Sequence, residues 1–260
     1  MNGPGPAALD GVTVVVTRPA DQGRDLCRAI AAQGGRAVNF PALEIQPVED
    51  NDKLKRLWDR LGSFDLAIFV SRNAVTAAAQ HLKNRWPARL SLAAVGKSTA
   101  HALQKQWGRP VIAPKTQYNS EALLALPELQ SVRDKRIVIF RGEGGRDLLA
   151  NELSRRGANV EYAEVYRRTM PGYRLAALRK HDPIDIIVVT SNEGLTNLVR
   201  MAETDQRDWL LNMPLVVISR RTATLAIELG FKHTPWVAQQ ADDNGLLTTL
   251  IAWNSQRHHH

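Results

Sequence analysis

Apolar residues along this chain fall into short blocks separated by helical spacing, beginning with Val12 to Thr17 (VTVVVT). That block is β-branched and lacks an alternating polar face, the pattern of a strand buried on both sides of a parallel sheet. Arg18-Pro19 follows, and helical spacing then runs from Asp21 to Gln33 until Gly34-Gly35 stops it. A second strand is predicted at Ala37 to Phe40. Beyond it, Pro41 and Pro47 bracket Leu43-Glu44-Ile45-Gln46, an extended stretch that cannot sit inside a helix and reads as a linker. The pattern resumes with a helix from Asp52 to Leu61, a strand at Leu66 to Val70 and a helix from Asn73. A strand at Leu92 to Val95, a helix from Ser98 to Gln106, a short strand at Pro110 to Ala113 and a helix from Ser120 complete this stretch. Arg136 to Phe140 is the next strand and leads into the turn Gly142-Glu143-Gly144-Gly145, then a helix ending before Gly157. Val160 to Arg168 is a long strand closed by Pro171, and Ile184 to Trp253 repeats strand and helix three more times. Such alternation predicts α/β layers built on parallel sheets.

The same pattern occurs twice, at an offset of about 122 residues. Gly23-Arg24-Asp25-Leu26 returns as Gly145-Arg146-Asp147-Leu148, and Gly35 and Val38 return as Gly157 and Val160. The block Asp65 to Ser71 (DLAIFVS) is echoed by Asp185 to Ser191 (DIIVVTS), and Thr99, Leu123 and Leu124 by Thr222, Leu246 and Leu247. Copies of this length are domain-sized rather than solenoid repeats. The chain is therefore expected to form two similar α/β lobes, with the ligand in the space between them. The linker stretches at residues 41–50 and 161–169 match one another and are expected to pair as a two-stranded antiparallel ladder. In that arrangement the lobes exchange their first units. Residues 1–40 and 170–257 form one lobe and residues 51–160 the other.

Composition narrows the partner. The 34 lysines and arginines outnumber 26 aspartates and glutamates, a formal charge of +8, which suits a nucleic acid, a phosphate or a polycarboxylate. No basic arm, helix-turn-helix signal or aromatic platform accompanies the charge, so nucleic acid is not expected. Cys27 is the single cysteine, and His81, His101, His181 and His233 are scattered without metal-ligand spacing, so no metal site is expected. His258, His259 and His260 read as the remnant of a purification tag. With no long apolar run and no signal-like start, a cytoplasmic protein without a membrane partner is expected.

Ligands of open α/β sheets bind beyond the carboxyl ends of the strands. The residues there are Thr17-Arg18, Ser71-Arg72-Asn73, Gly96-Lys97-Ser98, Arg141-Gly142, Ser191-Asn192-Glu193 and Ser219-Arg220-Arg221-Thr222. Nearly all join a small hydroxyl or glycine at a helix start to a cation, a combination suited to anions. Serine and asparagine also serve as ordinary helix caps. HExxH, GxSxG and Walker loops are lacking. The turn Gly142-Glu143-Gly144-Gly145-Arg146-Asp147 has Asp147 where a dinucleotide fingerprint needs its third glycine, so neither nicotinamide nor flavin is expected. Tyr166 stands on the second linker strand where the first copy has Glu44. It is either a packing residue or a phenol able to donate a proton.

Several segments taken in order resemble one family. Thr17-Arg18-Pro19, Pro41-Ala42-Leu43-Glu44-Ile45, Ser71-Arg72-Asn73-Ala74-Val75, Val95-Gly96-Lys97-Ser98-Thr99 and Ser120-Glu121-Ala122-Leu123-Leu124 make up the first part of the series. Arg141-Gly142-Glu143-Gly144-Gly145-Arg146, Val165-Tyr166-Arg167-Arg168 and Thr190-Ser191-Asn192-Glu193-Gly194 complete it. Together they resemble the uroporphyrinogen-III synthases over roughly Val12 to Trp253. The resemblance implies two flavodoxin/Rossmann-like lobes joined by the ladder. It also implies a cofactor-independent lyase of porphyrin and heme biosynthesis that cyclises hydroxymethylbilane to uroporphyrinogen III, inverting ring D and losing water. The protein would be a monomer supplied by hydroxymethylbilane synthase. Tyr166 matches the family tyrosine proposed to help the hydroxyl leave, and Thr222 matches a cleft threonine. Thr17, Arg18, Ser71, Arg72, Asn73, Gly96, Lys97, Arg141, Gly142, Ser191, Asn192, Glu193, Ser219 and Thr222 are the expected substrate contacts. A non-catalytic two-lobed protein that binds a small polycarboxylate fits the same turns.

Overall fold

The computed structural model describes residues 7–49, 51–83 and 85–257; residues 258–260, expected from the sequence to be a tag remnant, lie outside them. The chain divides into two compact units, one formed by Met1–Glu44 with Thr169–His260 and the other by Ile45–Arg168. The first segment contains β1 (Thr13–Val16), α1 (Ala20–Ala32) and β2 (Arg36–Asn39), and β3 (Glu44–Pro47) follows. Next come α2 (Asp52–Asp59), β4 (Leu66–Phe69), α3 (Arg72–Leu82), β5 (Ser91–Ala94), α4 (Lys97–Trp107) and β6 (Val111–Ile112). Two short helices, α5 (Ser120–Leu124) and α6 (Pro127–Gln130), precede β7 (Arg136–Gly142), α7 (Leu148–Arg155) and the long β8 (Asn159–Thr169). The return segment holds β9 (Ile186–Val189), α8 (Asn192–Arg200), α9 (Thr204–Leu211) and β10 (Leu215–Val217). It ends with α10 (Arg220–Glu228), β11 (Trp236–Val237) and α11 (Asp243–Arg257).

The first unit carries a five-stranded sheet of order β11-β10-β9-β1-β2, and the second a six-stranded sheet of order β3-β8-β7-β4-β5-β6. In the first, Val15 of β1 lies opposite Val38 on one side and Ile187 on the other, all strands parallel. In the second, Ile68 of β4 lies between Ala93 and Ile139. Matching the copies pairs β1 with β7, β2 with β8, and β9, β10 and β11 with β4, β5 and β6. Each sheet thus combines the first two strands of one copy with the last three of the other. The two linker strands are neighbours, and they form part of the second unit's sheet, with β3 on its edge beside β8. Val48 N–H reaches Val165 O at 3.2 Å just past β3.

β1, β4 and β9 are buried along their whole length, which is why their sequence shows no alternation. The two-residue period still sorts their side chains. Val15, Ile187, Val189, Leu215 and Val217 share one apolar layer with α8, and Val14, Val16, Ile186, Val188 and Val216 share the other with α1 and α11. Each fully buried valine, leucine or isoleucine contributes about 1.5–3 kcal/mol, so these layers outweigh the marginal propensity of strands this short. The second unit repeats the division, with Phe69 and Phe140 stacked at 4.4 Å on one face and Ile68, Ile137 and Ile139 on the other.

Candidate functional site at the carboxyl ends of the strands

Strand order reverses between β4 and β7 in the second unit and between β1 and β9 in the first. The crevice beyond such a reversal is where open α/β sheets take ligands. Several of the expected residues lie at each of these two points.

In the second unit, Ser71 caps α3 by accepting the Ala74 N–H at 3.2 Å. Its Oγ is also 3.0 Å from the phenol oxygen of Tyr166. Tyr166 is only 1% exposed. Arg168, two residues along β8 and therefore on the same face, donates from Nη2 to that phenol at 3.2 Å, and its Cζ lies 5.6 Å from the ring centroid. The ring is seated against Gly142, the residue opposite Tyr166 where the register between β7 and β8 shifts, Val165 being the extra residue on β8. A β-carbon at Gly142 would stand 2.6 Å from Tyr166 Cε2, so only glycine lets the ring lie there. A cavity of about 190 Å³ opens beside these groups, lined also by Ser120, Arg146 and Tyr162. It has room for one arm or ring of a larger ligand. Two larger depressions, of about 510 and 760 Å³, lie beside Cys27 and along β6 and contain none of the expected residues.

Arg141 was expected to present an open cation, and it is instead 5% exposed and turned back into its own loop. It donates to the carbonyls of Gly142 and Gly144, pairs with Asp147 at 3.0 Å, and packs 4.4 Å from the centroid of Tyr162. Tyr162 in turn donates to Asp147 at 3.0 Å. The bond from Arg141, followed by that from Tyr162, holds the Asp147 carboxyl below the usual carboxylate range, while burial and Asp147 push the Tyr162 phenol up. Gly144 and Gly145 adopt left-handed φ of 69° and 109°, and a side chain at Gly145 would meet the Arg141 guanidinium. Arg141 therefore shapes the glycine turn, in which the Glu143 N–H donates to Tyr166 O at 2.8 Å.

In the first unit the Thr17 hydroxyl donates to Val188 O at 2.9 Å and is buried, and α1 starts only at Ala20, so Thr17 is no helix cap. Arg18 contacts Thr190 Oγ1 at 3.3 Å across the strand reversal and forms an ion pair with Asp243 at the start of α11. Ser191 caps α8 through Gly194 N–H, and Ser219 caps α10 through Thr222 N–H. Buried Thr222 joins these two helix starts, 2.9 Å from Ser219 Oγ and donating to Asn192 Oδ1 at 2.9 Å. Arg72, Lys97 and Glu193 are placed at helix starts, with Glu193 exposed and Asn73 and Gly96 half-buried. Gly96 supplies no side-chain cap to α4. Arg168, Asp147 and Tyr162 are the neighbours that the expected residue set lacks. Arg168 was detectable through the two-residue spacing from Tyr166, and Asp147 stood hidden as one member of the internal repeat.

The family model described as Uroporphyrinogen-III synthase HemD matches residues 24–248. Among curated proteins, the uroporphyrinogen-III synthase of Escherichia coli (strain K12) is 37% identical over 246 residues, covering 92% of this chain and 100% of that protein. The Salmonella typhimurium (strain LT2) enzyme is 38% identical over 249 residues, again covering 92% and 100%. Among solved structures, a mutant uroporphyrinogen III synthase of the extremely thermophilic bacterium Thermus thermophilus superposes with a TM-score of 0.61 at 20% identity, covering 95% of this chain and 100% of that one. The Helicobacter pylori 26695 uroporphyrinogen-III synthetase gives 0.55 at 16%, covering 93% and 99%, so these two share the fold. The expected α/β architecture is thus found in solved relatives, and the chain belongs to the uroporphyrinogen-III synthase family.

Proposed function

We propose that this chain acts as a uroporphyrinogen-III synthase, cyclising hydroxymethylbilane to uroporphyrinogen III with inversion of ring D and loss of water. The observation that carries this reading is the family match across residues 24–248. The substrate bears eight carboxylates, and the helix starts at Ser71, Gly96, Ser191 and Ser219 offer peptide N–H groups suited to them. Arg72 and Lys97 add charge at two of those starts. Turns of each unit bind carboxylates, and Arg18 and Arg141 shape their turns instead of meeting the substrate.

The linear substrate closes spontaneously to isomer I, so the protein's task is to favour a different bond. Holding the terminal rings in one relative position supplies much of that preference, since orientation alone is worth up to about 7–11 kcal/mol in favourable cases. Tyr166 supplies the proton that lets the hydroxyl depart as water. The substituted carbon of ring D attacks the electron-poor methylene so formed and becomes a spiro centre. Its bond to the neighbouring methylene bridge then breaks, and the ring's free α-carbon captures that bridge and gives up its hydrogen, closing the macrocycle with the ring inverted. This is a lyase reaction carried by positioning and proton transfer, performed by a monomer in the cytoplasm on substrate handed over by hydroxymethylbilane synthase.

The test is incubation with hydroxymethylbilane and separation of isomers I and III. Isomer III in excess is expected, whereas isomer I alone at the spontaneous rate would reduce the protein to a polycarboxylate binder. Tyr166→Phe is expected to slow isomer III formation about 100- to 10,000-fold while leaving the isomer preference, because positioning remains. Unchanged turnover would remove the phenol from the reaction.

A further inference from the structure

We propose that Arg168 is a positioning residue for the Tyr166 phenol, and that with Ser71 it aims the phenol hydrogen and holds the oxygen once that hydrogen has gone. The inference rests on the proposed synthase reaction and adds two residues to it. A phenol oxygen has one hydrogen to give and two sites that accept. Arg168 Nη2, 3.2 Å away, can only donate, so it fills one accepting site. Ser71 Oγ, 3.0 Å away, already accepts the Ala74 N–H as the cap of α3, and its own hydrogen remains to fill the other. When Ser71 also donates, the phenol hydrogen is left for the cavity that Tyr166 lines; either oxygen of that pair is able to donate, and a substrate hydroxyl in the cavity draws the phenol hydrogen toward itself. The guanidinium lying 5.6 Å from the ring centroid further fixes where the ring and its oxygen stand.

In the reacting complex the Tyr166 proton passes to the hydroxyl oxygen of the substrate. The carbon–oxygen bond breaks with its electron pair leaving on water, and the pyrrole nitrogen lone pair supplies electrons to the methylene carbon. Tyr166 is left as the phenolate, facing two donors in a largely buried position, the residue being 1% exposed. Prearranged donors are most effective where charge develops away from solvent. The hydrogen on the ring carbon that closes the macrocycle returns to the phenolate at the end.

Arg168 lies at the exposed end of β8, so its replacement spares the core. The experiment compares Arg168→Gln and Arg168→Lys, each alone and with Tyr166→Phe, by kcat and KM for isomer III. Arg168→Gln is expected to lower kcat about 10- to 100-fold with KM within about twofold, less than loss of the phenol itself, since misplacing a reacting group by about 1 Å costs up to about 100-fold. Lysine restores part of the loss, as it keeps a donor and a charge without the planar fork. On the phenylalanine background Arg168→Gln is expected to change kcat by less than about twofold, because the group it serves is gone. Equal losses with and without the phenol, or a raised KM at unchanged kcat, would overturn the proposal and make Arg168 a carboxylate anchor. Isomer I alone from the unmodified protein would instead refute the synthase reading itself.

Discussion

Gly142→Ala tests whether the seat of the Tyr166 ring matters. The added β-carbon would meet Cε2 at 2.6 Å, Cζ at 2.7 Å and Cδ2 at 3.2 Å. Ordinary carbon contacts begin near ~3.5 Å, so the ring must retreat by about 1 Å. Being 1% exposed and packed in one cluster with Phe69, Phe140 and Val165, it can yield only toward the cavity that it lines. Overpacking of this kind costs about 1–3 kcal/mol, which at about 2–4 °C per kcal/mol lowers the melting temperature by roughly 2–12 °C. The same retreat stretches the 3.0 and 3.2 Å contacts of the phenol oxygen beyond hydrogen-bonding range, and misplacement by about 1 Å costs up to about 100-fold in rate. Gly142 lies outside the left-handed region, so backbone strain does not contribute. Thermal melts and isomer III formation are the two assays. Pairing Gly142→Ala with Tyr166→Leu should recover stability but not turnover, because the clash is relieved while the donor is lost. A Gly142→Ala protein that melts and turns over like the original would refute both the packing argument and the place given to Tyr166.

Thr222→Val keeps the shape of the buried threonine but leaves Asn192 Oδ1 and Ser219 Oγ short of a partner, and should cost about 1–3 kcal/mol in urea unfolding, with Thr222→Ser milder. Glu152 accepts from Arg155 and Arg156, which lowers its pKa from 4.5 to about 2. A pKa depressed by folding contributes stability that is full above 4.5 and disappears as pH falls toward about 2. Glu152→Gln should therefore flatten the acid limb of the urea midpoint measured against pH, and an unchanged slope would refute the pairing.

The architecture was readable because β1, β4 and β9 are buried on both faces and leave unbroken β-branched or aliphatic blocks. The internal repeat then identified which strands correspond. Helix starts at Ser71, Ser191 and Ser219 were equally plain, since a capping serine sits at a fixed place before its helix. Charge pairing was not readable in the same way. Arg18 meets Asp243 across 225 residues of sequence, and Arg141 reaches its partner only because two left-handed glycines bend the turn back on itself. An arginine beside a glycine therefore looks identical in sequence whether it faces a ligand or braces a loop. Tyr166 gave no sign of how deeply it is buried, because the bulge that admits its ring depends on Gly142 in a neighbouring strand.

The order β11-β10-β9-β1-β2 also bears on synthesis. Residues Ile45–Arg168 are contiguous, so that unit can assemble its parallel core as soon as β8 has emerged, apart from the edge strand at the boundary. The first strand made has to wait. Until Ile186 is added, β1 has only β2 beside it, and an isolated pair of strands is not stable in water. Closing the layer over Val14 and Val16 further requires Leu246, Leu250 and Trp253 of the last helix. A nascent or prematurely ended chain therefore carries one finished body and an exposed VTVVVT segment, an aggregation-prone signal that translation stopped short.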